Sequence, residues 1–285
     1  MPTGDLPPDA LATAGWKQIL AENFTTDCAA GDFLTAYPGW IAYPDTWDNG
    51  HTSYYNGGNS ITVADGVLSM QLYTDGTGKP RTETIQPPGG QGGQQQYGIY
   101  EIAYRVPAPI PGYKQAFLLW PVSNDGNQGE IDFPEASFEA GQPIAGFVHE
   151  VEPPGLHVNN AYAEVSSTAA TDGQWHVCRI VWKGDRVEFW LDGTRLGTGY
   201  TSTVNVPDIP MTWKLQTEGN LTGTFADPGI DPATTGTLEL AYAVAYTPVS
   251  VGTGAGTRTR VGTGSGHAPS VDTHHGSGTG ALVNT

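Results

Sequence analysis

The chain runs to 285 residues and carries 12 Lys plus Arg against 29 Asp plus Glu, a formal net charge of −17 at pH 7. Without a basic stripe there is no footing for nucleic acid, whose binding depends on clustered cations; the charge also opposes adsorption to anionic lipid, and no apolar run approaches the ~18 residues needed to insert into a bilayer. Only 14% of residues are charged while Gly numbers 39 and Pro 22, and long helical patterns are missing, which predicts an all-β chain of short strands and tight turns in one large domain.

Residues 1–14 are rich in Pro and Ala without a period, and are expected to form an extended leader. They show neither the basic start nor the apolar core of a secretory signal, so either a signal has been removed or export follows another route. From Trp16 the texture turns strand-like. Trp40, Trp47, Tyr54 and Tyr55 lie in a turn-rich region that either rims a cleft or packs the edge of a sandwich. Alternating or apolar runs bounded by turn residues follow at 60–63, 67–73, 98–106 and 115–120, each about one strand long. The series continues at 144–151, 175–182, 186–191, 211–217 and 237–246, the spacing of a β-sandwich. Asp65-Gly66 and Asp192-Gly193 supply hairpin turns. Cys28 sits in a loop-like segment and Cys178 in an apolar run, and two unpaired thiols are expected, Cys178 buried. The sandwich is expected over 15–249. Gly, Thr, Ser and His then fill 250–285, a composition that cannot bury enough apolar surface to offset its ordering entropy. A disordered or extended tail follows, in which His267, His274 and His275 read as solvated side chains and not metal ligands.

The richest segment is Gly129-Glu130-Ile131-Asp132-Phe133-Pro134-Glu135. Side chains two apart in a strand share a face, which puts Glu130 and Asp132 together, roughly 6–7 Å apart at their Cα atoms. Glu135, five residues from Glu130, falls on the opposite face of a regular strand. One β-bulge between Asp132 and Glu135 brings it back, and Pro134, with no N–H for a ladder, is tolerated at such a bulge. A strand of this kind can present two glutamates across a scissile glycosidic bond at the ~5–5.5 Å separation a retaining glycosidase needs, with Asp132 between them to hydrogen-bond one and raise the proton affinity of the other. Spacing alone leaves two other readings open, a solvated strand face and a calcium site of hard oxygen ligands.

The segment resembles the active-site signature of glycoside hydrolase family 16, the laminarinase, lichenase, agarase and carrageenase family, in its bulged form. The surrounding chain agrees over roughly 16–246: Tyr97-Gly98-Ile99-Tyr100-Glu101 resembles the family's early strand, 116–121 its pre-catalytic strand, Trp175-His176 through Trp190-Leu191-Asp192-Gly193 its later hairpin, and 210–218 the strand near its cleft. The resemblance implies a concanavalin A-like jelly roll of two bent antiparallel sheets with the sugar in the concave one, Glu130 as nucleophile, Glu135 as acid/base and Asp132 as assisting carboxylate. At Leu118 many relatives carry a cleft tryptophan; here Trp120 stands on the same face two residues later.

Trp120 is a candidate to stack on a sugar ring. His149 matches a family position near the cleft, from which it would hydrogen-bond substrate or Glu135. Alternation puts Gln216 and Glu218 on the cleft face of their strand and Trp213 and Leu215 on the core face. The expected function is retaining endo-hydrolysis of a polysaccharide (a β-glucan, a galactan or a bacterial surface glycan) without a cofactor and with no metal at the site, a structural calcium ion being compatible. Two alternatives are a non-catalytic carbohydrate-binding module on the same fold, and a virion component such as a phage tail tip, docked into a larger particle by its C-terminal tail. The location expected is extracellular or on a virion surface.

Overall fold

The computed structural model describes residues 15–46, 52–89, 94–151, 161–202, 204–219 and 229–249. The expected leader, the tail with His267, His274 and His275, and Trp47 lie outside the described residues. In chain order the strands are β1 (Trp16–Glu22), β2 (Ile41–Ala42), β3 (Tyr54–Tyr55), β4 (Ile61–Ala64), β5 (Val67–Thr74), β6 (Pro80–Thr82), β7 (Thr84–Gln86), β8 (Gly98–Arg105) and β9 (Tyr113–Pro121). They continue as β10 (Glu130–Ser137), β11 (Pro143–His149), β12 (Ala161–Ala169), β13 (His176–Lys183), β14 (Arg186–Leu191), β15 (Thr194–Arg195), β16 (Tyr200–Thr201), β17 (Met211–Gly219) and β18 (Gly236–Pro248). Helix among the described residues is limited to a turn at Phe33–Ala36 and a 3-10 turn at Gly126–Gln128.

All nine runs read from the sequence are strands. Among the strands that the sequence did not mark, β12 is an edge strand, mostly open to solvent on one face and built largely of small and polar residues, so it needs none of the apolar alternation that marks the nine runs. The two hairpin turns are left-handed at both central positions, with φ of 52° and 75° at Asp65-Gly66 and 50° and 78° at Asp192-Gly193, the type I′ geometry that matches strand twist.

The strands form two sheets, as a jelly roll requires. One has the order β15-β14-β13-β8-β18-β5-β6-β3, with β1 beside β18, β16 beside β14 and β4 beside β5; the other runs β12-β11-β10-β9-β17-β7-β2. Pairing is antiparallel except where β3 meets β6. The inner faces meet through aromatic contacts: Tyr100 with Trp213 at 5.3 Å between ring centroids, Tyr104 with Phe117 at 6.3 Å, and Phe133 with Phe189 at 5.1 Å. Such pairs add edge and offset-stacking attraction to the burial of large apolar area. Gly146 of β11 makes room for the last of them, since a Cβ there would lie 2.6 Å from the Phe189 ring. Trp40 packs with Phe24 and Phe33 in the same core, so it belongs to the sandwich and not to a rim. Both cysteines are free, Cys178 being buried.

Candidate active site

β10 is interior to its sheet, hydrogen-bonded to β9 on one side and β11 on the other. Ile131, Phe133 and Ala136 project into the core, which leaves Glu130, Asp132 and Glu135 for the opposite face. The register shows how. Asp132 sits opposite Leu118 and Phe147 while Glu135 sits opposite Ala116 and Ala145, so β10 advances three residues against two on each neighbour. That is the extra residue a bulge inserts, and it falls at Phe133-Pro134, whose peptide bond is cis.

The rest of this face is assembled from the neighbouring strands. On β9, Tyr113, Phe117 and Leu119 belong to the core, so Lys114, Ala116, Leu118 and Trp120 share the face of the acids. On β17, Met211, Trp213 and Leu215 are core residues, and Thr212, Lys214, Gln216 and Glu218 face the site. His149 pairs across the ladder with Glu130, and its Nε2 lies 3.1 Å from Asp132 Oδ2, a close contact without hydrogen-bond alignment. Gln216 accepts a hydrogen bond from the Tyr55 hydroxyl at 3.1 Å through Oε1. Trp120 donates its indole N–H to Asn124 Oδ1 at 2.8 Å and is 7% exposed. All seven residues singled out from the sequence thus stand on one face.

Two lysines there were not anticipated. Lys114 Nζ lies 3.5 Å from Glu135 Oε1 and 3.2 Å from Glu218 Oε2, so Glu218 is held by a cation of its own sheet. Lys214 Nζ lies 5.4 Å from the centre of the Trp120 ring and 5.3 Å from that of Tyr43. A lysine in a strand ordinarily marks a solvated face. The signal that identifies these two is alternation, which aligns Lys114 with Trp120 and Lys214 with Gln216 and Glu218.

Burial dominates the electrostatics. It pushes the proton affinity of Glu130 well up, and the Asp132 charge beside it adds to the rise. Asp132 is likewise driven well up, by burial and then by Glu135. Glu135 is raised by burial against the opposing pull of the Lys114 ammonium. Lys214 goes the other way, burial bringing it down to about 8. Carboxyls packed like this cannot all ionise, because each new charge is added in a poorly solvated place beside another. The cluster therefore retains a proton where isolated carboxylates would have lost theirs, as acid catalysis requires. Glu135 Oε2 has no hydrogen-bond partner among the described residues, which leaves an oxygen of that carboxyl for an incoming group.

Glu130, Asp132 and His149 offer ligand atoms within 4.8 Å of one another. Two carboxylates and an imidazole are a donor set a divalent cation accepts.

No curated protein matches the chain in sequence. Solved structures share its fold: the non-specific endo-beta-1,3(4)-glucanase SCLam (TM-score 0.65, 19% identity, covering 86% of this chain and 94% of that one), an endo-beta-1,3-glucanase from Pyrococcus furiosus (0.62, 20%, 82% and 95%), and the catalytic domain of an endo-1,3-beta-glucanase (laminarinase) from Thermotoga petrophila (0.60, 18%, 82% and 98%). Residues 43–237 match glycosyl hydrolases family 16. That span contains the bulged acid strand and every strand of its sheet apart from β2, and on it the chain belongs to glycosyl hydrolase family 16.

Proposed function

We propose that the protein is a retaining endo-glycosidase that cuts a β-glucan by double displacement, with Glu130 as nucleophile, Glu135 as acid/base and Asp132 as the carboxylate that holds Glu130 in place. The observation that carries this reading is the bulge, which turns an offset of five residues into a shared face for the two glutamates. In the first step Glu135 gives its proton to the departing glycosidic oxygen while a Glu130 oxygen bonds the anomeric carbon; in the second, water attacks that carbon, gives a proton to Glu135 and releases Glu130. The shared proton of the cluster supplies the acid, and position in the family signature, more than electrostatics, assigns it to Glu135. His149 stands beside Asp132, its Nε2 3.1 Å from Oδ2. Trp120 and Gln216 line the same face and are assigned to sugar contacts, and the glucan is suggested by the glucanases that share the fold. The chemistry uses only carboxyl groups and needs no cofactor.

The test is direct. Glu130→Gln should fold as the wild type does and lose nearly all turnover of β-1,3- and mixed-linkage β-glucans, because an amide cannot form the glycosyl ester. Proton NMR of the first product of the wild-type enzyme should show the β-anomer before mutarotation. An α-anomer, or wild-type activity in Glu130→Gln, would overturn the assignment.

A further inference from the structure

The acid/base assignment leaves one neighbour unexplained. Lys114 stands across the β9–β17 ladder from Glu218 and across the β9–β10 ladder from Ser137, two positions from the Ala116 that faces Glu135. It is 6% exposed, Glu218 3% and Glu135 9%. Burying an ammonium is unfavourable unless it is paired, and Glu218 at 3.2 Å already provides a pair. Lys114 also reaches a second carboxylate, at 3.5 Å, longer than the ~2.7–2.9 Å of a well-formed charge-assisted hydrogen bond. The ammonium is thus held by Glu218 at a set distance from Glu135.

We propose that Lys114, anchored by Glu218, is a positioning residue that sets how readily Glu135 releases its proton to the leaving oxygen and takes one back from water. The inference rests on the reading of Glu135 as acid/base. As the glycosidic C–O bond breaks, the proton of Glu135 passes to the leaving oxygen and the residue becomes a carboxylate beside a fixed ammonium, which stabilises the product of that transfer. Glu218 draws part of the ammonium's field to itself, so Glu135 remains basic enough to receive the proton of the attacking water. Among the described residues, the other charged groups on this face are Asp132 and Glu130 on the strand of Glu135, which favour its protonated form, His149 on β11, which opposes it, and Lys214 on β17, beside Trp120. Among the described residues, Lys114 is the cation in contact with Glu135.

The two partners of this pair predict shifts of opposite sign, which a merely structural role would not produce. With soluble mixed-linkage β-glucan as substrate, the alkaline limb of kcat/KM against pH reports Glu135. Lys114→Met removes the ammonium and should move that limb up by about one pH unit, a tenfold change in acidity. Lys114→Arg keeps the charge and should leave the limb near its wild-type place. Glu218→Gln removes the carboxylate that competes with Glu135 for the ammonium and should move the limb down. No movement in either Lys114→Met or Glu218→Gln, or movement in the same direction in both, would overturn the inference. If Lys114→Met does not fold, the sign of the Glu218→Gln shift decides alone: downward supports the proposal, any other result rejects it. Glu135→Ala separates this from the underlying assignment. If it loses polysaccharide turnover but still hydrolyses a 2,4-dinitrophenyl glycoside, which needs no acid, Glu135 is the acid/base, and unmoved limbs then count against Lys114 only. If Glu135→Ala still cuts the polysaccharide at the wild-type rate, the assignment fails and the role of Lys114 fails with it.

Discussion

Trp213 and its neighbours on β17 offer a test of which way the site's sheet faces. Trp213 is 1% exposed and meets Tyr100 of the opposite sheet at 5.3 Å and 63°, while Lys214, Gln216 and Glu218 stand on the other face. Truncating a buried aromatic to alanine costs about 3–5 kcal/mol, and the lost edge contact adds about 0.5–1.5 kcal/mol. Trp213→Ala should therefore lose about 4–6 kcal/mol, a large part of the ~5–15 kcal/mol that holds a native domain together. For a domain of this size each kcal/mol moves Tm by roughly 2–4 °C, which gives a fall of about 8–24 °C. The indole N–H has no hydrogen-bond partner among the described residues, so Trp213→Phe removes an unsatisfied donor along with part of the ring and should cost less than half as much. Differential scanning calorimetry of the two variants measures both numbers, and glucan hydrolysis well below their melting points should stay within about threefold of the wild type. A fall under about 3 °C for Trp213→Ala would mean that Trp213 is not between the sheets, that β17 faces the other way, and that Gln216 and Glu218 are not beside the acids.

Three further outcomes are expected. Burial holds the protons of Glu130, Asp132, Glu135 and Glu83 more tightly in the folded state than in the unfolded chain, so the stability they contribute is fully present below the ordinary carboxylate range, near pH ~4, and is lost as pH rises through the raised values. Glu130→Gln removes one of these groups: its Tm should exceed that of the wild type at pH 8 and approach it at pH 4, and a gap that widens toward acid would contradict the argument. His149 favours ionisation of Glu130 and Glu135, so His149→Ala should shift the acid limb of the glucanase pH profile upward; an unmoved limb would leave His149 a packing residue. Deleting residues 252–285 should change Tm by less than about 2 °C, because the last strand among the described residues ends at Pro248, and a larger loss would show that the tail packs on the sandwich.

Much of the site was legible in the chain because the relevant rule is local. A strand alternates with period two, so Glu130, Asp132 and Glu135 could share a face only through a bulge, and Pro134 marked where one would be tolerated. The same rule separated Trp213 and Leu215 from Gln216 and Glu218, and Asp-Gly pairs marked both left-handed turns. The roles of the three acids came from the family signature and not from alternation. Trp40, open between rim and core, could be placed only when Phe24 and Phe33 were seen around it. The edge strand β12 lacked the apolar face that periodicity detects. What the tertiary structure alone decided is the charge environment of the acids. Lys114 and Glu218 are far apart in the chain and become partners only because β9 and β17 run antiparallel in one register, and a shift of that register by one residue would turn the alternating face of a strand over. Burial, register and the distance of an ammonium from a carboxylate are properties of packed strands, and they, not residue types, set where the proton of the active site resides.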